Sequence, residues 1–440
     1  MATRDAATPR AQRVATLGVL SVALLGAGDA YGEAVARAEQ AVALAQGAPD
    51  VPEIVQLRAW MAPANARQIA RLPGVTEPAR RALQLAEKLY PERRAEPVLE
   101  ARQIVAPGLS SEGRFREATV EYGALLRARV DLLGPTHNSR AGLYNSMGNA
   151  QLQAGEPKAA LASDEALVAV VDANDRGPTR NRSVGRYRVA SALANLRRYP
   201  KAVAAQQAAI AMADAIGGAQ CATSLRWRAG LAAHQARAGD LAAAEASLAR
   251  ADPAQLADDY DRAEAAMHAA GVRSLQGRHD DALRLVAGAD RHLANQGNAT
   301  MRNSVRIALA LAQFRAGRAG AHIGFIGATE GALSQPAGKD SPDLADLRLA
   351  LRLALGRARL DRGDAQGALA SLRQAGQFWT RFDPAGGDAA RAQGQIALAQ
   401  AVRAEPALAA QHAAAARARL AHSTRADDRL LLADLDRAGL

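Results

Sequence analysis

The residues able to do chemistry in this 440-residue chain are few, and their spacing decides against most of it. Eight histidines (His137, His234, His268, His279, His292, His322, His412 and His422) could ligate a metal or move protons. No His-Glu-x-x-His pair occurs, and no two histidines stand at ligand spacing with flanking acids. His268 and His279 come nearest, but they fall on opposite helices of one expected hairpin and read as packing or surface residues. The single cysteine, Cys221, could act as a nucleophile with His234 as its base. It lies near an expected helix start, where a small half-buried apolar residue is the simpler reading. Gly338-Lys339 runs into Asp340 and lacks the upstream glycine of a phosphate-binding loop. No Gly-x-Gly-x-x-Gly follows a strand, and kinase and protease signatures are missing from the sequence. No catalytic residue, metal or cofactor is expected, so the chain reads as a non-enzyme.

What the sequence does repeat is structural. A glycine, an alanine five residues on, and a small or apolar residue seven beyond recur as Gly74/Ala79/Ala86, Gly113/Ala118/Leu125, Gly155/Ala160/Leu167, Gly239/Ala244/Ala251, Gly277/Ala282/Ala289 and Gly363/Ala368/Ala375. Arg197/Ala202/Ala209 keeps the alanines without the glycine, and Gly317/His322/Thr329 keeps only the glycine. A period of roughly 42 residues is the mark of stacked helical hairpins. The glycine suits a tight turn needing positive φ. The first alanine sits where two helices come closest, and a larger side chain there would hold the backbones apart. The third position lies two turns along the same face and packs on the next repeat.

Around these anchors helices are expected at Ala141–Ala154 and Lys158–Val171, Leu225–Ala238 and Leu241–Arg250, and Leu349–Arg362 and Ala365–Gln377. Alanine and leucine dominate, period-2 alternation is missing, and aromatic residues are only 3%, so an all-α fold with Ala/Leu/Val ridges follows. The expected organisation is a flexible segment over 1–13, an array of about nine to ten hairpins over 14–422, and a helical cap over 423–440. A long loop is expected near 331–343, where Ser334–Pro342 stretches the period, and a kink at Pro107.

The net charge of +11 rests almost wholly on arginine. Without a long basic run or a set of stacking aromatics, it reads as solvated helix faces and a mildly basic groove, and no nucleic acid is expected. One cysteine allows no intramolecular disulfide. No apolar stretch reaches the length of a bilayer span. Arg4, Arg10 and Arg13 before an apolar run from Val14 to Ala27 suit a signal peptide, which would make the protein exported or periplasmic. The run continues the repeat register, however, with Val14–Leu25 and Ala34–Ala45 as a first hairpin, and this favours a cytoplasmic protein.

The phrases Met147–Leu167, Glu112–Leu126 and Ala192–Ile210 resemble the tetratricopeptide repeat (TPR), with Gly148, Gly155 and Ala160 at that family's small-residue positions. Leu132–Ala150 is similar to the inter-repeat phrase of the kinesin-light-chain-like form, with Thr136 and Asn138 where that form has Asp and Pro. The resemblance covers about Asp29 to Leu420. It implies a right-handed α-solenoid of stacked antiparallel helix pairs, a TPR-like superhelix, whose concave groove holds an extended peptide or a protein partner. Carried onto this chain, the groove positions are Asn145, Asn149, Tyr187, Arg188, Ser191, Asn195, Arg226 and Arg357. Asparagine can bridge a bound backbone, and arginine suits a carboxylate or phosphate. The clamp that some members use for a C-terminal carboxylate is not reproduced. The implied role is a protein-binding scaffold, such as the sensor or docking part of a bacterial signalling system built on a Ser/Thr kinase or transcriptional regulator. The alternatives are an exported envelope or assembly scaffold, and an enzyme with an atypical groove site.

Overall fold

A computed structural model describes residues 9–27, 30–70, 72–92, 95–134, 137–252, 255–293, 299–317, 327, 329, 342–382, 387–423 and 426–440. Every regular element among them is helical, and the chain divides into two compact units, residues 1–174 and 175–440.

Unit 1 holds α1 (Arg10–Ala27), α2 (Tyr31–Ala45), α3 (Glu53–Ile69), α4 (Thr76–Leu89), α5 (Glu96–Ser111), α6 (Phe115–Leu133), α7 (Arg140–Gln153) and α8 (Pro157–Asn174). They pair as four hairpins, each stacked on the next. Unit 2 continues with α9 (Arg180–Asn195), α10 (Tyr199–Gly217), α11 (Ala222–Arg237), α12 (Leu241–Ala249), α13 (Asp259–Leu275), α14 (His279–Leu293) and α15 (Ala299–Arg315). It closes with α16 (Pro342–Asp361), α17 (Ala365–Phe382), α18 (Gly387–Val402), α19 (Pro406–Leu420) and the single helix α20 (Ala426–Arg437). Five of its pairs are described hairpins, α9/α10, α11/α12, α13/α14, α16/α17 and α18/α19.

The repeated spacing has a direct structural cause. Gly74, Gly113, Gly155, Gly239, Gly277, Gly317 and Gly363 all have φ between +69° and +96°, the left-handed region that closes a helix. After each of the hairpin glycines at 113, 155, 239, 277 and 363, the next residue donates its N–H to the carbonyl five residues back, as Arg114 does to Leu109 at 2.8 Å and Asp364 to Arg359 at 2.9 Å. Five residues on, Ala79, Ala118, Ala160, Ala202, Ala244 and Ala368 are completely buried and Ala282 nearly so. The residues seven beyond, from Ala86 to Ala375, are buried too. A fully shielded methyl at the contact is what lets these helices approach.

Several expected boundaries shift. Residues 1–8 of the segment read as flexible lie outside the described residues, but Arg10–Arg13 belong to α1. The Pro9 carbonyl accepts from the N–H groups of Gln12 and Arg13 at 3.0 and 3.1 Å and starts the helix, and Arg10 reaches Asp50 at 3.0 Å. The expected loop near 331–343 falls outside the described residues up to 341, and Pro342 already opens α16, at the position where proline's missing N–H is not needed. His322 of the glycine-only repeat also lies outside them. At Pro107, α5 runs on to Ser111 without a break. In the expected cap over 423–440, the helix proper is α20.

A further repeat escaped the glycine rule. Ala404 has φ +57° and Glu405 N–H reaches the Gln400 carbonyl at 3.0 Å, so Ala404/Ala409/Ala416 keeps the same spacing with both later alanines buried. Arg197 does the same at φ +59°, with Arg198 N–H bonded to the Leu193 carbonyl at 2.9 Å. A left-handed non-glycine residue costs about 1–2 kcal/mol, so both turns are held by the packing of the alanines that follow.

Candidate functional site

The hairpins of unit 2 surround a cavity of about 780 Å³. Its walls come from α11 (Ala233, Arg237), α13 (Met267, His268, Gly271, Leu275), α15 (Leu311, Phe314, Arg315), α16 (Ala350, Leu353, Ala354, Arg357), α18 (Gly387, Asp388, Arg391, Gln395) and α20 (Leu430, Leu431, Asp434, Arg437). Trp379 of α17 and the turn residues Arg197 and Tyr199 complete them. A small cleft of about 50 Å³ adjoins it and shares Arg237 and His268. That cleft is lined by Tyr187, Ser191 and Asn195 of α9, Arg226, Trp227, Gly230 and His234 of α11, and Glu264 of α13.

Four residues marked from sequence, Tyr187, Ser191, Asn195 and Arg226, therefore converge on one cleft, and a fifth, Arg357, lines the adjoining cavity. Arg188 is half-buried on α9 and lines neither. Asn145 is half-buried and Asn149 exposed, both on α7 of unit 1.

Local packing fixes these side chains. Tyr187 stacks on the buried Trp227 with ring centroids 4.6 Å apart and planes 5° from parallel. Asn195 turns its amide back onto the Ser191 carbonyl at 3.0 Å. Gln206 of α10 donates to the Trp227 carbonyl at 2.7 Å, in a space that exists because residue 230 has no side chain. Arg226 meets Asp261 at 2.9 Å and Glu264 at 3.8 Å. Burial opposes its charge, but the Glu264 and Asp261 carboxylates outweigh that and hold its pKa above the ordinary arginine value. The arginine expected to await a carboxylate thus already holds two. Arg357 is engaged in the same way, by Asp361 at 2.8 Å and by Asp434 of α20. There too burial opposes the charge and the Asp434 and Asp361 contacts prevail, raising the pKa.

Other residues of the site were not marked as groove positions from sequence. The Arg197 guanidinium lies over the buried Trp379 ring at 4.3 Å and donates to the Tyr199 hydroxyl at 2.7 Å. Arg391 is buried against Asp428 and Asp388, tying α18 to α20. Arg315 donates to Ser274 at 2.7 Å. The imidazole of His234 is held down to a pKa of about 3, first by burial and then by the charges of Arg237 and His268. Its Nδ1 makes no hydrogen bond among the described residues. Trp227 did leave a trace: it stands about one repeat after Tyr187, where side chains of neighbouring first helices meet.

Among the described residues no three His, Cys, Asp or Glu side chains gather as a metal site would need, and no helix is long and apolar enough to cross a membrane. Cys221 stands at the N-cap position of α11 with its Sγ 3.2 Å from the Ser224 hydroxyl, and it does not line the cleft that holds His234.

No protein family's sequence model matches the chain, and no curated protein matches it. Among solved structures it is similar to the APC/C hetero-tetramer Cut9–Hcn1, with 13% identity over 97% of this chain and 76% of that one and a TM-score of 0.48. A Rap protein complexed with competence and sporulation factor aligns at 10% identity over 92% of this chain and 100% of that one, TM-score 0.43. A putative kinesin light chain of Podosopora anserina with nearly identical TPR-like repeats aligns at 18% identity over 47% of this chain and 98% of that one, TM-score 0.38. By its left-handed turn residues, its buried alanines at fixed distance and its order of antiparallel hairpins, each of the two units is an all-α, solenoid-type stack of helix pairs.

Proposed function

We propose that the chain is a non-enzymatic interaction scaffold that takes a peptide, or an extended segment of a partner protein, in the cavity and cleft of unit 2. One observation carries this: Tyr187, Ser191, Asn195 and Arg226, marked from sequence as groove positions, line a single cleft that adjoins a cavity of about 780 Å³. That volume lies within the roughly 300–1,000 Å³ typical of ligand sites. Its walls mix apolar surface from Phe314, Leu353 and Leu430 with fixed polar groups, which suits side chains and backbone together. Arg188 on α9, and Asn145 and Asn149 on α7, are proposed as further contacts to a longer segment. The resemblance of the repeats adds a setting: the docking part of a bacterial signalling system, in the cytoplasm.

The test is peptide display against the purified chain. Gly271 lines the cavity, and a Cβ built there meets no atom within 4 Å, so the side chain of Gly271→Trp starts into open space and takes up cavity volume. Enriched peptides should bind the native chain and Arg284→Trp, a change on an exposed residue of α14, but not Gly271→Trp. Peptides that bind Gly271→Trp as well as the native chain would place the binding surface elsewhere.

A further inference from the structure

We propose that the small cleft beside the unit 2 cavity is a subsite for a primary carboxamide, an inference that rests on reading the cleft as part of a binding surface. Three buried polar atoms of its lining residues make no hydrogen bond among the described residues: Gln206 Oε1, Trp227 Nε1 and His234 Nδ1. Buried polar side-chain atoms are paired in the large majority of cases, and an unpaired one costs stability. Three of them on one cleft of about 50 Å³ mark a place that an incoming polar group would complete.

The chemistry of that group follows from what each atom offers. Gln206 donates from Nε2 to the Trp227 carbonyl at 2.7 Å, which only the amino end of its amide can do, so Oε1 is left as an acceptor. The Trp227 indole can only donate. His234, neutral down to a pKa of about 3, donates or accepts at Nδ1 according to its tautomer. A carboxylate has no proton for Gln206, and an ammonium has no acceptor for Trp227. A carboxamide brings both. Arg226 beside them is already balanced by Asp261 and Glu264 and does not call for an anion.

The size of the cleft agrees. About 50 Å³ holds roughly three to four water-sized groups, close to a carboxamide and one methylene. Gly230 keeps this space, since a Cβ there would stand 2.9 Å from Gln206 Nε2. The Tyr187–Trp227 stack and Ala194 give the adjoining carbons an apolar wall. Because the cleft shares Arg237 and His268 with the larger cavity, the carboxamide can belong to a segment bound there or to a free small molecule.

The experiment follows the isotope-labelled indole N–H signals of the full chain by NMR. There are three tryptophans, and Trp227→Phe identifies the signal of residue 227. The probes are propionamide, propionate and propylammonium, alike in size and different in their hydrogen-bonding ends. Propionamide should shift the Trp227 signal at concentrations at least about tenfold lower than the other two. Gln206→Met keeps the bulk of the side chain without its amide and should weaken propionamide by roughly tenfold, whereas Gln207→Met on the exposed neighbour should not. Trp227→Phe, read by saturation transfer to propionamide, should weaken it as much and covers the case in which Gln206→Met does not fold. A blocked Ala-Gln-Ala tripeptide with an N-methylamide end separates the two sources. If it shifts the signal as propionamide does, a peptide side chain suits the cleft; if propionamide alone acts, the carboxamide subsite stands and the peptide-binding reading fails. Propionate or propylammonium acting as well as propionamide would overturn the carboxamide while keeping the cleft as a site. No shift at propionamide concentrations on the order of 100 mM, a range that suits so small a probe, would show that water alone serves these atoms and would overturn the subsite.

Discussion

Arg197 and Trp379 meet across the cavity of unit 2, the guanidinium carbon 4.3 Å from the ring centroid, and Arg197 holds this contact from a left-handed backbone at φ +59°. The same turn position is glycine in six other hairpins. A non-glycine residue there costs about 1–2 kcal/mol, whereas a cation–π contact returns about 0.5–2 kcal/mol according to its burial. The two effects nearly cancel. Arg197→Gly should therefore leave stability almost unchanged in the native background. In a Trp379→Leu background, where the aromatic face is gone, the same change should stabilise by about 1 kcal/mol in denaturant unfolding. Equal effects in both backgrounds would show that the two side chains are not coupled.

Two helix-interior glycines separate propensity from packing. By propensity alone, glycine to alanine in a helix gains about 1 kcal/mol. Gly271 in α13 has open space around its missing Cβ, so Gly271→Ala should raise the melting temperature of unit 2. Gly356 in α16 does not: a methyl there would stand 2.5 Å from Cγ of Leu372, which is completely buried in the core with Ala368 and Ala375. Gly356→Ala should lower it, by about 1–3 kcal/mol of stability if the core resists. Thermal unfolding of both variants together decides whether α16 and α17 approach as closely as described.

The turn and the close contact were legible because each makes a local demand. A helix that ends in a left-handed residue asks for glycine, and a helix crossing at short range asks for a methyl, so Gly155 and Ala160 announce themselves at fixed distance. Arg197 and Ala404 were less legible since packing can force the left-handed turn on other residues, though Ala404 keeps the spacing to Ala409 and Ala416. The cleft was half legible. The repeat resemblance, carried along the helix register, marked Tyr187, Ser191, Asn195 and Arg226, and these four line one cleft. Contacts such as Arg357 with Asp434 or Arg197 with Trp379 depend on how successive hairpins of unit 2 curve, a sum of small rotations that no single repeat encodes. For the same reason the sequence offered Arg226 and Arg357 to a ligand without showing that Asp261 and Asp434 already hold them.

The register itself can be broken at chosen points. Ala160 in α8 and Ala282 in α14 are almost wholly buried at close helix contacts, so phenylalanine at either should cost about 1–3 kcal/mol or more through overpacking. Ala162, two residues from Ala160 and exposed, should tolerate phenylalanine with little change. Chemical denaturation of the three variants is the check. A midpoint shift at Ala162 as large as that at Ala160 would contradict the assignment of the anchors.

His234 makes the stability of unit 2 depend on pH in a defined direction. Burial first, and then the charges of Arg237 on its own helix and of His268 on α13, keep its folded pKa at about 3 against 6.5 unexposed to these neighbours. Arg226 and Glu264, which line the same cleft, are held to each other and do not supply a proton acceptor at its Nδ1. In the unfolded chain this imidazole takes a proton below pH 6.5, while in the folded chain it does not until about pH 3. Between those values the unfolded state binds more protons, so acid favours unfolding. The contribution of neutral His234 is complete above pH 6.5 and declines as pH falls, by up to about 1.4 kcal/mol per unit. Replacing it with Gln, which cannot titrate, should flatten the acid side of the stability curve between pH 6.5 and 4 even if it lowers stability at pH 7. The difference between native and His234→Gln unfolding free energies, followed over that range, must shrink as pH drops. A difference that stays constant would mean that His234 is protonated in the folded protein and that the cleft is more open to water than its packing implies.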